Sequence, residues 1–396
     1  MHVFLLGNGF DINHGLPTKY LNFLRTMNYL LKHYNSDMNT IGKVFCSEYF
    51  IENDCDIANS YKLYSNVYDS VSLDADKIQS LIKAARENVW YQYFSNQLTR
   101  DIKWIDFERE IATVLEVLGK HLPKITPQFY FYGKEWSKVD LFIFKKFDFY
   151  YYETNEQSAI VGYNNKFCVN KEFVYEYPLK SKLYKVNVSL IIEELYHQLQ
   201  DFSKILKGYF ECFVDAFTKE LSTKQSACIK NNLFVQAEAV FTFNYTRTFE
   251  NLYSSRLEIH HIHGSTDCDI VLGTNPDLHD ELPDLDTSFI QFKKYYQRVF
   301  YKTDTSYLSG IEDLRKIKRR EKNRHVLHVV GHSLDITDKD LIQEIFDSAG
   351  SIFIYYHNES AIGSYIKNLI SIYGKSGFDT IRKEKALMFL PLSNQY

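Results

Sequence analysis

The sequence predicts an α/β protein: a doubly wound parallel sheet, interrupted after its first unit by a large, mainly helical insertion. Three observations carry this expectation. Short apolar runs that end at a glycine or a polar residue lie near both ends of the chain, at residues 3–6, 239–243, 259–262 and 326–330. A helix-length segment separates the second run from the third, and a strand–helix–strand crossover makes its two strands parallel. Between about residues 27 and 204 this alternation stops. The expected layout is a discontinuous core of residues 1–26 and 205–396, with residues 27–204 as an insertion or cap.

The first run breaks into Gly7-Asn8-Gly9, and a second glycine turn follows at Gly15-Leu16-Pro17. That order reads as a buried strand, a glycine loop whose bare backbone faces a phosphate, and a helix start. It departs from the G-x-G-x-x-G fingerprint, because Ile12 stands where the third glycine belongs. Within the insertion, residues 75–94 and 107–118 have helical spacing, and residues 104–108 read as a helix start. The Tyr- and Phe-rich stretch 129–152 looks like strands or hairpins, and a long helical segment over 188–220 leads back to the core. Residues 246–257 fit a short crossover helix. After the fourth run, Asp338 is the expected N-cap of a helix over 339–348, with Leu341, Ile342, Ile345 and Phe346 on one face. Residues 351–356 and 386–390 read as further strands, with a helix over 361–373 between them.

At 396 residues, with 45% hydrophobic and 24% charged residues, the chain has the balance of a globular protein. A net charge of −4 gives no general attraction to nucleic acid or anionic membrane. None of the six cysteines forms a C-x-x-C pair, so neither a zinc ribbon nor a redox pair is signalled. No apolar stretch approaches the ~20 residues of a membrane span, and the N-terminus lacks a signal-peptide pattern. A cytoplasmic protein with free thiols and no membrane association is expected. Residues 315–324 hold seven basic residues and 277–286 hold five acidic ones. These read as a solvated helix and a solvated loop.

In open parallel sheets, ligands bind beyond the carboxyl ends of the strands. Gly7-Asn8-Gly9, Asn244, His263-Gly264-Ser265 and Gly331-His332-Ser333 all follow such ends. A histidine there is suited to general-base work without a metal. The alternatives at each position are structural: His263 as a core histidine bonded to backbone, Asn244 as a helix cap, His332 and Asp335 as loop-ordering residues. His261 is expected on the same strand face as His263. As a metal pair the two lack a cysteine or carboxylate at ligand spacing, so no metal is expected.

Gly7-Asn8-Gly9-Phe10-Asp11 with Gly15-Leu16-Pro17 resembles the sirtuin G-A-G-x-S…G-I-P motif. Thr242-Phe243-Asn244-Tyr245 is similar to the sirtuin T-Q-N-I, His263-Gly264 to its catalytic H-G, and Gly331-His332-Ser333-Leu334 to its G-T-S-L loop. More closely, GNGFD…HGLPT, FTFNYT, HIHGS and GHSLDxxD together resemble the AbiH family of bacterial phage abortive-infection proteins. The resemblance implies a sirtuin-like, Rossmann-type core that binds NAD or a related ADP-ribosyl nucleotide. It implies that Gly7, Asn8, Gly9, Asp11, Gly15, Thr246, Gly264, Gly331, His332 and Ser333 contact that nucleotide. By the same resemblance Asn244 bonds a ribose hydroxyl and His263 is the general base.

The departures from the sirtuin pattern point away from protein deacylation. Thr246 replaces an aspartate, Thr18-Lys19-Tyr20 replaces D-F-R, Asp11 replaces a serine, and the zinc ribbon is missing. What the resemblance then implies is an anti-phage effector that hydrolyses NAD to nicotinamide and ADP-ribose. Its activity would stay latent until a phage-derived trigger, a partner protein or homo-oligomer assembly repositions the cap. One alternative is a catalytically silent sensor of an ADP-ribosyl nucleotide. Another is a nucleic-acid-directed toxin using the basic run around Lys318, which would need clustered metal-binding carboxylates that the sequence does not display.

Overall fold

The computed structural model describes residues 1–98, 105–122, 128–132, 150–153, 164–176, 184–224, 232–253, 256–274, 288–320 and 325–392. Contacts divide the chain into two compact units. The first comprises residues 1–82, 204–271 and 294–396, the second residues 83–203 and 272–293.

The first unit is built on six parallel strands. They are β1 (His2–Leu6), β7 (Ala239–Thr242), β8 (Ile259–His261), β9 (Val326–Val330), β10 (Ser351–Tyr356) and β11 (Met388–Pro391), in the order β11-β10-β9-β1-β7-β8. A parallel sheet is covered on both faces, which explains why its strands read as unbroken apolar runs. Val3, Leu5, Phe241, Leu327 and Val329 enter the core on one face, and Phe4, Leu6, Val240 and Val330 enter the core on the other. Leu6 lies level with both Thr242 and Val330, so the loops after β1, β7 and β9 emerge side by side. The winding direction reverses at β1, whose neighbours are β7 and β9.

Several element ends differ from expectation, each for a local reason. β8 stops at His261, where a turn begins, rather than at Ile262. The crossover helix is only Thr248–Leu252. Asn88 splits the expected 75–94 helix into Ala75–Glu87 and Val89–Asn96, because its side chain accepts the Tyr91 N–H and caps the second helix. Asp106 does start the next helix, Phe107–His121, by accepting from Glu108 and Arg109. Asp338 holds the N-cap position of Lys339–Ser348, as expected, but its side chain makes no cap hydrogen bond and is used elsewhere; Asp335 caps the short 3-10 turn Ile336–Asp338.

The expected insertion boundary at residue 26 falls inside the helix Tyr20–His33. Residues 27–82 belong to the first unit because their aromatic side chains pack against the helical segment after residue 204. Phe45 stacks on Phe213, and Tyr68 lies on Phe217 with ring centroids 4.0 Å apart. That segment continues the helix Val188–Tyr209 through a π-turn, Phe210–Asp215, into Ala216–Lys224.

The second unit contains antiparallel strands. β2 (Gln128–Tyr132) and β3 (Tyr150–Glu153) each pair with β4 (Asn164–Val169), and β5 (Val174–Glu176) pairs with β6 (Tyr184–Val186). Residues 133–149, between β2 and β3, lie outside the described residues, as do residues 277–286 and 321–324 of the two charge runs. Among the described residues, no helix is long and apolar enough to cross a membrane, and Cys46, Cys55, Cys212 and Cys268 are free thiols.

Candidate functional site

The loops after β1 and β9 are glycine-rich because their backbones touch. The Gly7 N–H donates to the Val330 carbonyl at 3.1 Å, and the Gly9 N–H donates to the Gly331 carbonyl at 2.8 Å. A Cβ on Gly9 would sit 2.6 Å from the Gly331 Cα, and Gly331 itself has φ +68°. Two of the three N–H groups expected to face a phosphate are thus donated to the neighbouring strand end. Asn8 is tied to Thr18, whose hydroxyl donates to its Oδ1 at 2.6 Å. Gly15, with positive φ, follows the helix Asn8–Asn13. Ser333 holds Asn368 through its backbone carbonyl at 2.9 Å.

Asn244 and Thr246 follow β7 and meet the first loop. The Asn244 Nδ2 donates to the Gly7 carbonyl at 3.1 Å, and the Thr246 hydroxyl donates to Asp11 Oδ2 at 2.6 Å. The other Asp11 oxygen is buried with no hydrogen-bond partner. Burial pushes the Asp11 carboxyl up to about 7, against the hydrogen bond from Thr246. Close by, Asp215 accepts the Arg247 N–H at 2.9 Å and the Thr266 hydroxyl. Its carboxyl is raised by burial to about 6.

His263 joins a different cluster. Its Nε2 lies 3.3 Å from Asp338 Oδ1, which also accepts from the Lys294 ammonium at 3.1 Å. Since Asp338 is an acceptor toward that ammonium, the His263 proton sits on Nε2 and a lone pair remains on Nδ1. That Nδ1 is buried with no partner. Burial, and then the Lys294 charge, lower His263 to about 4, so its imidazole is neutral at pH 7. Burial would raise Asp338, but Lys294 and the two histidines hold it well below the usual carboxylate range. His332 accepts the Leu334 N–H on Nδ1 at 2.9 Å, leaving its Nε2–H 3.7 Å from Asp338 Oδ2. Phe243 packs against both rings, at 5.2 Å from His263 and 4.2 Å from His332. Gly264, with φ +76°, makes the turn after His263, where a Cβ would strike the Asp269 carbonyl.

His261 does not share this surrounding, contrary to expectation. Strand alternation ends with β8, and the His261 ring instead bonds the Asn244 carbonyl at 3.0 Å and Glu250 Oε1 at 2.8 Å. Both nitrogens face acceptors. Although burial opposes its charge, the Glu250 bond raises His261, which favours the imidazolium. Burial would lift Glu250 too, yet His261 and Arg247 keep its carboxyl below the ordinary value.

The structure therefore forms two buried clusters at the carboxyl edge, Asn244–Asp11–Thr246–Asp215 and His263–Asp338–His332–Lys294. Asn244, Asp11, Thr246, His263 and His332 are among the residues singled out in the sequence. Lys294 and Asp215 carry no signal of their own in the sequence, and Glu250 stands out only as one half of the His261 pair. Asp338 was visible as the last residue of GHSLDxxD and as the N-cap position of the following helix, but its side chain serves the cluster rather than the helix end. No curated protein and no solved structure matches the chain. The family model described as bacteriophage abortive infection AbiH matches residues 3–356. That span includes both glycine loops and every residue of the two clusters, and the chain belongs to the AbiH family.

Proposed function

We propose that this protein is the effector of an anti-phage abortive-infection response, and that it acts by hydrolysing NAD to nicotinamide and ADP-ribose. The family match supports the defence role. The observation that carries the chemistry is His263, a neutral imidazole whose Nε2–H is oriented by Asp338 and whose Nδ1 lone pair is unpartnered. A base held by a carboxylate is the arrangement needed to draw a proton from an attacking water. The strand order supports nucleotide binding. Counted along the chain, the six strands run 3-2-1-4-5-6, the order of doubly wound sheets that hold dinucleotides over the point of reversal.

In this reading the water oxygen bonds to C1′ of the nicotinamide-bearing ribose as His263 Nδ1 takes its proton. The C1′–N bond breaks, and its electron pair leaves with neutral nicotinamide. Asn244, its amide nitrogen committed to the Gly7 carbonyl, offers its carbonyl oxygen to a ribose hydroxyl. Because His263 is sealed from solvent, turnover requires the loops to open, and the activity is latent until a trigger opens them. The test is incubation with NAD in ¹⁸O-water, with and without phage lysate. Nicotinamide release with one ¹⁸O at C1′ of ADP-ribose supports hydrolysis. A product without the label, or no release under either condition, removes it.

A second reading, a silent sensor of an ADP-ribosyl nucleotide, is favoured by Thr246, which stands where the sirtuin pattern has an aspartate and spends its hydroxyl on Asp11, and by the missing arginine of that pattern. Tight ADP-ribose binding with no turnover would select it.

A further inference from the structure

The long helix after the second unit's strands contains a widened turn, and such turns recur where a helix serves a site. The π-turn spans Phe210–Asp215, between Val188–Tyr209 and Ala216–Lys224. Both of its sides are fixed. Tyr209 donates its hydroxyl to the Pro17 carbonyl at 2.8 Å, and Phe217 lies against Tyr68. An α-helix turns about 100° per residue, so losing one residue here would rotate one side against the other. The wide turn lets both sides stay packed while its last residue, Asp215, reaches the sheet edge.

There Asp215 joins two loops. Its Oδ1 accepts the Arg247 N–H, in the loop that carries Asn244, at 2.9 Å. Its Oδ2 accepts the Thr266 hydroxyl, in the loop that carries His263. A direct bond from the Thr266 N–H to the Tyr245 carbonyl, 3.0 Å, runs beside this tie. We infer that Asp215, aimed by the π-turn, is a positioning residue that fixes the Asn244 loop against the His263 loop. Its catalytic consequence rests on the proposed NAD hydrolysis; the tie itself does not.

The test compares full-length wild type, Asp215→Ala and Asp215→Asn by hydrogen exchange and by nicotinamide release. The alanine variant leaves both donors without their acceptor, so exchange at residues 244–248 and 264–268 rises about tenfold or more. The asparagine variant keeps an acceptor for Arg247 and donates to a turned Thr266 hydroxyl, and it restores most of the protection. Strand β9 stays as protected as in wild type throughout. In release assays the alanine variant loses kcat about tenfold with little change in KM, and asparagine recovers it. Unchanged exchange in either loop overturns the inference, and so does equal acceleration in β9, which marks a merely structural residue. A wild type that releases no nicotinamide even in the presence of phage lysate contradicts the proposed function, while the exchange pattern still decides the role of Asp215.

Discussion

Asp338 sits among Lys294, His263 and His332 in a dry setting, and its charge holds that cluster together. Asp338→Ala takes the counter-charge from a buried ammonium. We expect it to destabilise the protein by about 3 kcal/mol or more in chemical denaturation, with Asp338→Ala/Lys294→Met recovering part of the loss. Asp11 makes a separate prediction through pH. Its folded pKa, about 7, lies above its ordinary value of 3.8, so the folded state holds more protons between those limits. Its contribution is therefore fully present below about pH 4 and is lost as pH rises toward 7, by at most roughly 1.4 kcal/mol per pH unit. Asp11→Asn removes this dependence, so the variant gains on wild type between pH 5 and pH 7.5. Denaturation of both proteins at the two pH values checks it; a constant difference would mean that Asp11 does not titrate in that range. The histidines near 4, His14, His263 and His328, act in the opposite sense but are common to both proteins.

At the scale of elements, the glycine contact between the β1 and β9 loops sets how closely the candidate clusters approach. Gly331→Ala places a Cβ against the Phe10 nitrogen at a backbone φ of +68°. A loss of about 3 kcal/mol is expected, seen as a lowered melting temperature, whereas Gly363→Ala, in the helix Ser360–Glu384 with open space around it, gains up to about 1 kcal/mol through helix propensity. The inner strands β1, β7 and β9 were legible because they are buried on both faces and so read as apolar runs; the bounds expected over 326–330 and 351–356 match residue for residue. The histidine grouping was not legible, since it turned on whether β8 ended at His261 or one residue later. Lys294 looks like any surface lysine until Asp338 is placed beside it. That residues 27–82 join the first unit was not legible for a similar reason: their aromatics have no period that names their partner, and that partner lies more than a hundred residues away at Phe213 and Phe217.

At the scale of the whole molecule, the proposed NAD hydrolysis requires restraint, because uncontrolled loss of NAD would harm the host before any phage arrived, and the sealed setting of His263 is suited to it. Cells carrying the protein are therefore expected to keep normal NAD until infection and then lose it together with growth. His263→Ala should abolish both effects while leaving the protein abundant, measured by NAD content and immunoblot across an infection time course. Early NAD loss in uninfected cells would contradict latency. The most direct measurement is nicotinamide released from NAD by purified protein after exposure to phage lysate, compared among wild type, His263→Ala and Asn244→Ala. Release by wild type is expected, with a drop of about a hundredfold or more in the histidine variant and a marked loss in the asparagine variant. Release that survives in both variants would contradict the proposed site.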